Sequence, residues 1–348
     1  MRFKYSKPSI DISTEYTGLA KIDKSIRDGQ YKAVDYLKQE PLRSKCLLCT
    51  QTLTQADIFS HRSLDYFLCN QCHHIQSKHL PTSLYPSDTP DGLSFLDVYP
   101  ELTTEQFQSR QSRIYQPKFN WILESLLEYG FTIDEIQQKS WLELGSGAGY
   151  FLACLKDFAI KQFNGLERNE DLCGIANRYL QGRHAHPHTT SLASAVESWP
   201  ADIYAAFFVL EHVQDAHLFF NALKASKPGT IFAFAIPMFS LSTLLETAFE
   251  THAGRNLDNA LHVQLYTEDS LNYALKIAGF KVINQWLFGQ DVGDLRRLLS
   301  IQLENNYPKY LASIMDNKLN ALLDTMQANV DQIHFCDSRH ILCIKEPV

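Results

Sequence analysis

The spacing of apolar residues along the chain switches repeatedly between a helical and a strand-like period, and the switches divide it into elements. Residues 1 to 45 are polar and mixed, with one helix expected from about Ile22 to Leu37. A short β-like run, Leu64 to Leu68, follows. From Glu105 to Tyr129 the pattern is helical, broken or restarted at Pro117, with Phe119, Ile122, Leu123, Leu126 and Leu127 on one face. Beyond it, strand-length apolar runs alternate with helical stretches. The expected strands are Trp141 to Leu144, Phe163 to Glu167, His186 to Thr190, Ile203 to Phe208, Ile231 to Ile236, Lys281 to Phe288 and Arg339 to Lys345. The helices between them include Asn169 to Leu180, Asp215 to Ser226 before the stop signal Lys227-Pro-Gly229, and Thr267 to Ala278 ended by Gly279. This alternation predicts an α/β protein with a doubly wound, seven-stranded sheet from about residue 103 to 348.

Two stretches interrupt the alternation. Met238 to Ala260 reads as an amphipathic helical insert (Leu241, Leu244, Leu245, Phe249) placed where a substrate lid would sit. The segment 291–330 reads as two or more helices with an apolar stripe (Leu295, Leu298, Leu299, Leu319, Leu322, Leu323), fit for a lid or a homodimer surface. The expected organisation is an N-terminal extension over 1–45, a small cysteine module over 46–85, a Pro- and Ser-rich linker over 86–102, and the α/β domain.

The run Ser140-Trp-Leu-Glu-Leu-Gly-Ser-Gly-Ala-Gly-Tyr-Phe-Leu152 is strand, tight turn and helix start. Glycine at Gly145, Gly147 and Gly149 lets the backbone take positive φ and lets a ligand approach main-chain N–H groups. Tyr150 stands where a dinucleotide fingerprint carries its third glycine, which weakens a nicotinamide reading. Glu143 to Gly149 resembles the first motif of class I S-adenosylmethionine-dependent methyltransferases. That resemblance implies a Rossmann-like methyltransferase fold and cofactor contacts from Glu143, Gly145, Ser146, Gly147 and Gly149. Glu167 stands at the end of the second strand, 18 positions beyond Gly149, the interval that brings a carboxylate to ribose hydroxyls. Arg113 and Tyr115, entering the long helix, are further cofactor candidates by resemblance.

Four of the eight cysteines form two Cys-x-x-Cys pairs, Cys46/Cys49 and Cys69/Cys72, 19 residues apart. The spacing fits a tetrahedral thiolate site of the zinc-ribbon kind. Disulfides are disfavoured in the reducing compartment inferred below, and a redox pair is disfavoured because neither pair lies in a βαβ pattern. His73 and His74 adjoin the last cysteine and read as an exposed pair, with a ligand role as the alternative. Residues 46 to 85 resemble the zinc-binding module that precedes the methyltransferase domain in bacterial sugar and natural-product methyltransferases, where a glycine usually follows the last cysteine. His73 takes that place here. Cys154, Cys173, Cys336 and Cys343 read as core thiols.

The string Phe208-Val-Leu-Glu-His-Val213 closes the central strand, where open α/β sheets hold their ligands. Phe208 is a cofactor contact and His212 the leading base or substrate-orienting group, with Glu211 bracing the loop. Relatives carry the same Val-Leu-Glu-His-Val string. The later run His262-x-x-x-Tyr266, followed by a helix and Gly-Phe, matches the family's late motif and makes His262 the second base candidate. The Asn/Asp-Pro-Pro-aromatic string of enzymes that methylate base amines is absent.

Composition narrows the partners. With 348 residues, 45% hydrophobic and 20% charged, the chain suits one large core plus a small module, and its net charge of −7 argues against nucleic acid as the partner. No apolar run reaches the roughly 18 residues of a membrane span, and the basic N-terminus lacks a signal-peptide core, so a cytoplasmic protein without membrane contact is expected. The reading is S-adenosylmethionine-dependent methyl transfer to a small-molecule acceptor, a sugar, glycan precursor or secondary metabolite, with S-adenosylmethionine and zinc as cofactors. The alternatives are an RNA methyltransferase guided by the ribbon and a non-catalytic cofactor-binding protein.

Overall fold

The computed structural model describes residues 1–9, 19–80, 103–257 and 262–347, and the side chains of that set except for 19–22. The linker expected over 86–102 lies outside the described residues. In chain order the elements are β1 (Arg2–Tyr5), α1 (Leu19–Leu37), β2 (Asp57–His61), β3 (Leu64–Leu68), β4 (Ile75–Ser77), α2 (Thr104–Arg110), α3 (Gln116–Tyr129) and α4 (Ile133–Gln138). The α/β alternation follows: β5 (Ser140–Leu144), α5 (Tyr150–Asp157), β6 (Gln162–Glu167), α6 (Glu170–Leu180), β7 (Ala185–Pro187), α7 (Leu192–Ser198), β8 (Ile203–Phe207), α8 (Ala216–Lys224), β9 (Ile231–Pro237) and α9 (Leu241–Ala248). The chain ends with β10 (Gln264–Leu265), α10 (Glu268–Ala278), β11 (Phe280–Leu287), α11 (Asp291–Asn306), α12 (Lys309–Gln332) and β12 (Ser338–Lys345).

The main sheet has the order β1-β11-β12-β9-β8-β5-β6-β7. All seven expected strands are in it, parallel except for β12, which runs antiparallel to both β9 and β11. The expected count is corrected by one: β1, from the stretch read as a polar extension, pairs in parallel with β11 and makes an eighth, edge strand. Arg-Phe-Lys-Tyr alternates charged with aromatic over only four residues, too short a run to read as a strand, and the strand is exposed along its length and held by backbone pairing. Ser6 then accepts the indole N–H of buried Trp286 at 3.0 Å.

Side chains along β8 and β9 alternate between two cores, as period-2 geometry requires. Ile203, Ala205, Phe207, Ile231, Ala233 and Ala235 face the layer of α2, α3, α5 and α6. Tyr204, Ala206, Phe232, Phe234 and Ile236 face the layer of α7, α8 and α10. Cys46, Leu48, Leu53, Phe67, Cys69 and Cys72 belong to that second core. The cysteine module is therefore packed onto the sheet's own helical layer. Its antiparallel strands β2, β3 and β4 are extended by β10 from the α/β domain, and Leu47 O accepts the N–H of His217 in α8 at 2.9 Å.

The helical insert expected over Met238 to Ala260 is shorter than its amphipathic pattern suggests. Among its described residues only α9 is helical, because the backbone at Ala253, Arg255 and Asn256 is bound by buried carboxylates instead of its own carbonyls. Ala253 N–H donates to Asp23 at 3.0 Å, and Arg255 and Asn256 N–H donate to Glu246 at 2.7 and 2.8 Å. The second interruption, 291–330, is helical as expected, split at Tyr307-Pro308 into α11 and α12.

Candidate functional site

After β5 the chain bends through Gly145, Gly147 and Gly149 with φ of 71°, 51° and 85°, all in the left-handed region that glycine adopts without cost. The three glycines do different work. A Cβ on Gly145 would lie 2.6 Å from Val209 Cγ2, and one on Gly149 would lie 2.7 Å from Ala176 Cβ, so these two permit close packing on the β8 end and on α6. A Cβ on Gly147 would meet nothing within 4 Å. Gly147 is thus the position left open to a ligand. A further glycine, Gly165 in β6, carries no motif signal, yet a Cβ there would sit 2.6 Å from Ser146 and block the bend from lying on the strand.

Gly145 and Ser146 N–H both donate to Leu166 O (2.8 and 3.0 Å), which fastens the bend to β6. Glu167 turns toward it: one carboxylate oxygen accepts Gly147 N–H at 2.8 Å and the other accepts Asn169 N–H at 3.0 Å. Glu143 is fully buried below, and burial first, then the neighbouring Glu167 charge, pushes its carboxyl well above the usual range, with Lys118 opposing. Among the described residues, Glu143 Oε2 and Ser146 Oγ are buried without a hydrogen-bond partner. Two acids, an unsatisfied buried acceptor and an open glycine fit a cationic nucleoside such as S-adenosylmethionine.

Phe208 takes φ of 57°, uncommon for a residue with a Cβ, and is 38% exposed at the β8 end. Lys118, from α3, lies over the rings of Phe208 (5.1 Å) and Tyr115 (4.9 Å). The break seen in sequence near Pro117 is a π-helical turn, Gln111–Tyr115, that turns Tyr115 onto Tyr150 at 5.2 Å. Arg113 meets this region through its carbonyl, which accepts from Lys7 at 3.0 Å. Sequence reading missed Lys118: a lysine in an amphipathic helix looks like its solvent face, and only the 5% exposure marks it. Helix α7 starts Leu192-Ala-Ser-Ala with Ser191 as its cap.

Past Phe208 a single 3₁₀ turn, Leu210–His212, carries Glu211 buried and His212 exposed. Fifty positions later in sequence, His262 arrives beside it, with ring centroids 4.9 Å apart. The turn is clamped by Gln264, whose amide donates to Leu210 O (2.6 Å) and Val213 O (2.7 Å) while its oxygen faces His74 Nε2 at 2.7 Å. Val209 against Gly145 sets this turn next to the glycine bend.

Cys46, Cys49, Cys69 and Cys72 converge, their sulfurs within 4.8 Å of one another. Cys46 to Cys72 is 3.6 Å and Cys49 to Cys69 is 3.5 Å, near the edge of about 3.8 Å that a tetrahedral site with bonds of about 2.3 Å requires. The residues fit a thiophilic metal. Leu48 N–H donates to Cys46 Sγ at 3.4 Å, and hydrogen bonding from Cys72 holds the Cys46 thiol well below its usual value. His73 takes the glycine position at φ 53°, so the tight turn forms without glycine, and its ring contacts Asp269 at 2.7 Å. His74 is wholly buried against Tyr266, which corrects the expectation of an exposed histidine pair. The remaining cysteines are buried thiols; burial pushes Cys154 up to about 12 and Cys173 to about 11.

Residues 116–285, from the start of α3 through most of β11, match the family model described as a methyltransferase domain. The chain carries a methyltransferase domain over that span. The matched span contains the glycine bend, Glu167, Phe208, His212 and His262, and excludes the four cysteines of the two Cys-x-x-Cys pairs. Among curated proteins there is no match. Among solved structures, the chain is similar to a putative sarcosine dimethylglycine methyltransferase from Galdieria sulphuraria, at 14% identity and TM-score 0.43 over 70% of this chain and 92% of that one. It is also similar to magnesium protoporphyrin IX methyltransferase from Synechocystis PCC 6803, at 12% identity and TM-score 0.45 over 72% and 93%. Among the described residues, no helix is long and apolar enough to cross a membrane.

Proposed function

We propose that the enzyme methylates a small-molecule acceptor, a sugar, glycan precursor or secondary metabolite, at a hydroxyl or an acidic carbon held over the β8 end. The observation that carries this reading is the meeting of His212 and His262, from separate segments, beside the glycine bend. Glu143, Gly145, Ser146, Gly147, Gly149, Glu167 and Phe208 would hold S-adenosylmethionine, which supplies an electrophilic methyl group on a sulfonium. Glu167 contributes negative charge facing that cation, joined by the buried Glu143 as it ionises with rising pH, and Gly147 leaves room for the ligand to approach. Phe208 and Tyr115 exclude water from the reacting end, and His212 or His262 takes the acceptor proton or orients the acceptor. Cys46, Cys49, Cys69 and Cys72 would hold a structural zinc in a ribbon whose role is to brace the β10 segment and the turn it clamps.

An acceptor screen with radiolabelled S-adenosylmethionine against nucleotide sugars tests the reading. Transfer that falls about 10²- to 10⁴-fold in His212→Ala or His262→Ala, with cofactor binding kept, is the expected result. Activity on RNA but on no small molecule would overturn it in favour of the ribbon-guided alternative. Elemental analysis expects one zinc per chain, lost when Cys49→Ser and Cys69→Ser are combined.

A further inference from the structure

Glu211, His212 and His262 form a second potential ligand set, away from the four cysteines. We propose that this trio binds a divalent first-row cation, and that the acceptor is a molecule with an oxygen donor able to enter the cation's remaining positions. The ligand atoms of the three residues lie within 4.8 Å of one another, and one carboxylate with two imidazoles suits such ions. Three further features favour a metal over a bare base. His262 Nδ1 faces the carbonyl of buried Asn256 at 2.9 Å; a carbonyl only accepts, so Nδ1 carries a proton and the ring is oriented by its backbone partner, the arrangement usual for a histidine that ligates through Nε2. Glu211 is 1% exposed on a turn pinned by two hydrogen bonds from Gln264, so its carboxylate is placed before any ligand arrives. His212 is exposed, which leaves one side of the trio open, as a catalytic rather than a closed structural site requires.

The inference rests on the reading that this turn faces the acceptor, and it changes what the histidines do. They would ligate, and an acceptor hydroxyl polarised by the cation would lose its proton to solvent instead of to an imidazole. Its substrate class is correspondingly narrower: a hydroxyl, preferably flanked by a second oxygen.

The test uses the full-length, zinc-loaded protein titrated with manganese(II) chloride, followed by the loss of the free-ion electron paramagnetic resonance signal. Manganese is chosen because it is the weakest of the series and will not displace zinc from thiolates. The expected result is one manganese per chain, with affinity at least about tenfold weaker in Glu211→Gln and in His212→Ala. If Glu211→Gln does not fold, the exposed His212 variant decides. No binding up to millimolar manganese, or equal binding in wild type and variants, overturns the proposal. Calorimetry with S-adenosylmethionine on the same samples separates the two readings: cofactor heat without manganese sinks only the metal site, and manganese without cofactor heat sinks only the cofactor site.

Discussion

At the scale of single residues, the glycine bend separates binding from packing. Gly147→Ala adds a methyl to open space at φ 51°, so it should cost about 1–2 kcal/mol of stability and mainly weaken cofactor binding. Gly149→Ala drives a Cβ against Ala176 at 2.7 Å and should lower the melting temperature more than Gly147→Ala does. Differential scanning fluorimetry paired with calorimetric titration distinguishes them; an equal loss of stability in both would contradict this division. Glu143 gives a pH signature. Its carboxyl is held well above the usual range, and only the ionised form attracts a cationic nucleoside, so affinity for S-adenosylmethionine should rise with pH as Glu143 ionises. Glu143→Gln should flatten that dependence in a pH series of dissociation constants.

The bend and Glu167 were legible because their signals are local: glycines at alternate positions and an acid one strand later. Lys118, Gly165 and Gln264 were not. Each acts on a residue distant in sequence, and nothing in its own neighbourhood distinguishes a clamping amide from a surface glutamine. The two histidines were legible only as separate candidates; their 4.9 Å approach is a product of the fold.

At the scale of elements, β12 carries the clearest stability prediction. His340 is wholly buried among Trp121, Trp286, Phe207, Phe208 and Phe288, and neither ring nitrogen has a hydrogen-bond partner among the described residues. Burial first, then Lys118 and Lys7, holds its pKa well below the ordinary 6.5. The unfolded chain therefore binds a proton here that the native state refuses, and stability should fall as pH drops below 6.5 while staying flat above it. Urea melts from pH 5 to 8 should show this slope, reduced in His340→Phe. Strand β1 was illegible for a different reason: its alternation of charged and aromatic residues runs for only four positions on an exposed edge. The insert after β9 misled because α9 and the following loop share apolar residues, and the loop's backbone partners lie in α1 and α9.

At the scale of the whole molecule, the cysteine module and the α/β domain share one core and one small sheet. Metal removal should then destabilise the sheet as well as the module. Calorimetry should give a single unfolding transition, shifted down after zinc is withdrawn by a chelator; two independent transitions, with only the smaller one moving, would show that the module folds by itself.

One side chain ties the cysteine module to the turn after β8. The carboxamide of Gln264 touches His74, two positions past the last cysteine, and at its other end grips the carbonyls around Glu211 and His212. Disturbance of the four thiols would thus reach the turn that carries Glu211 and His212 through a single amide.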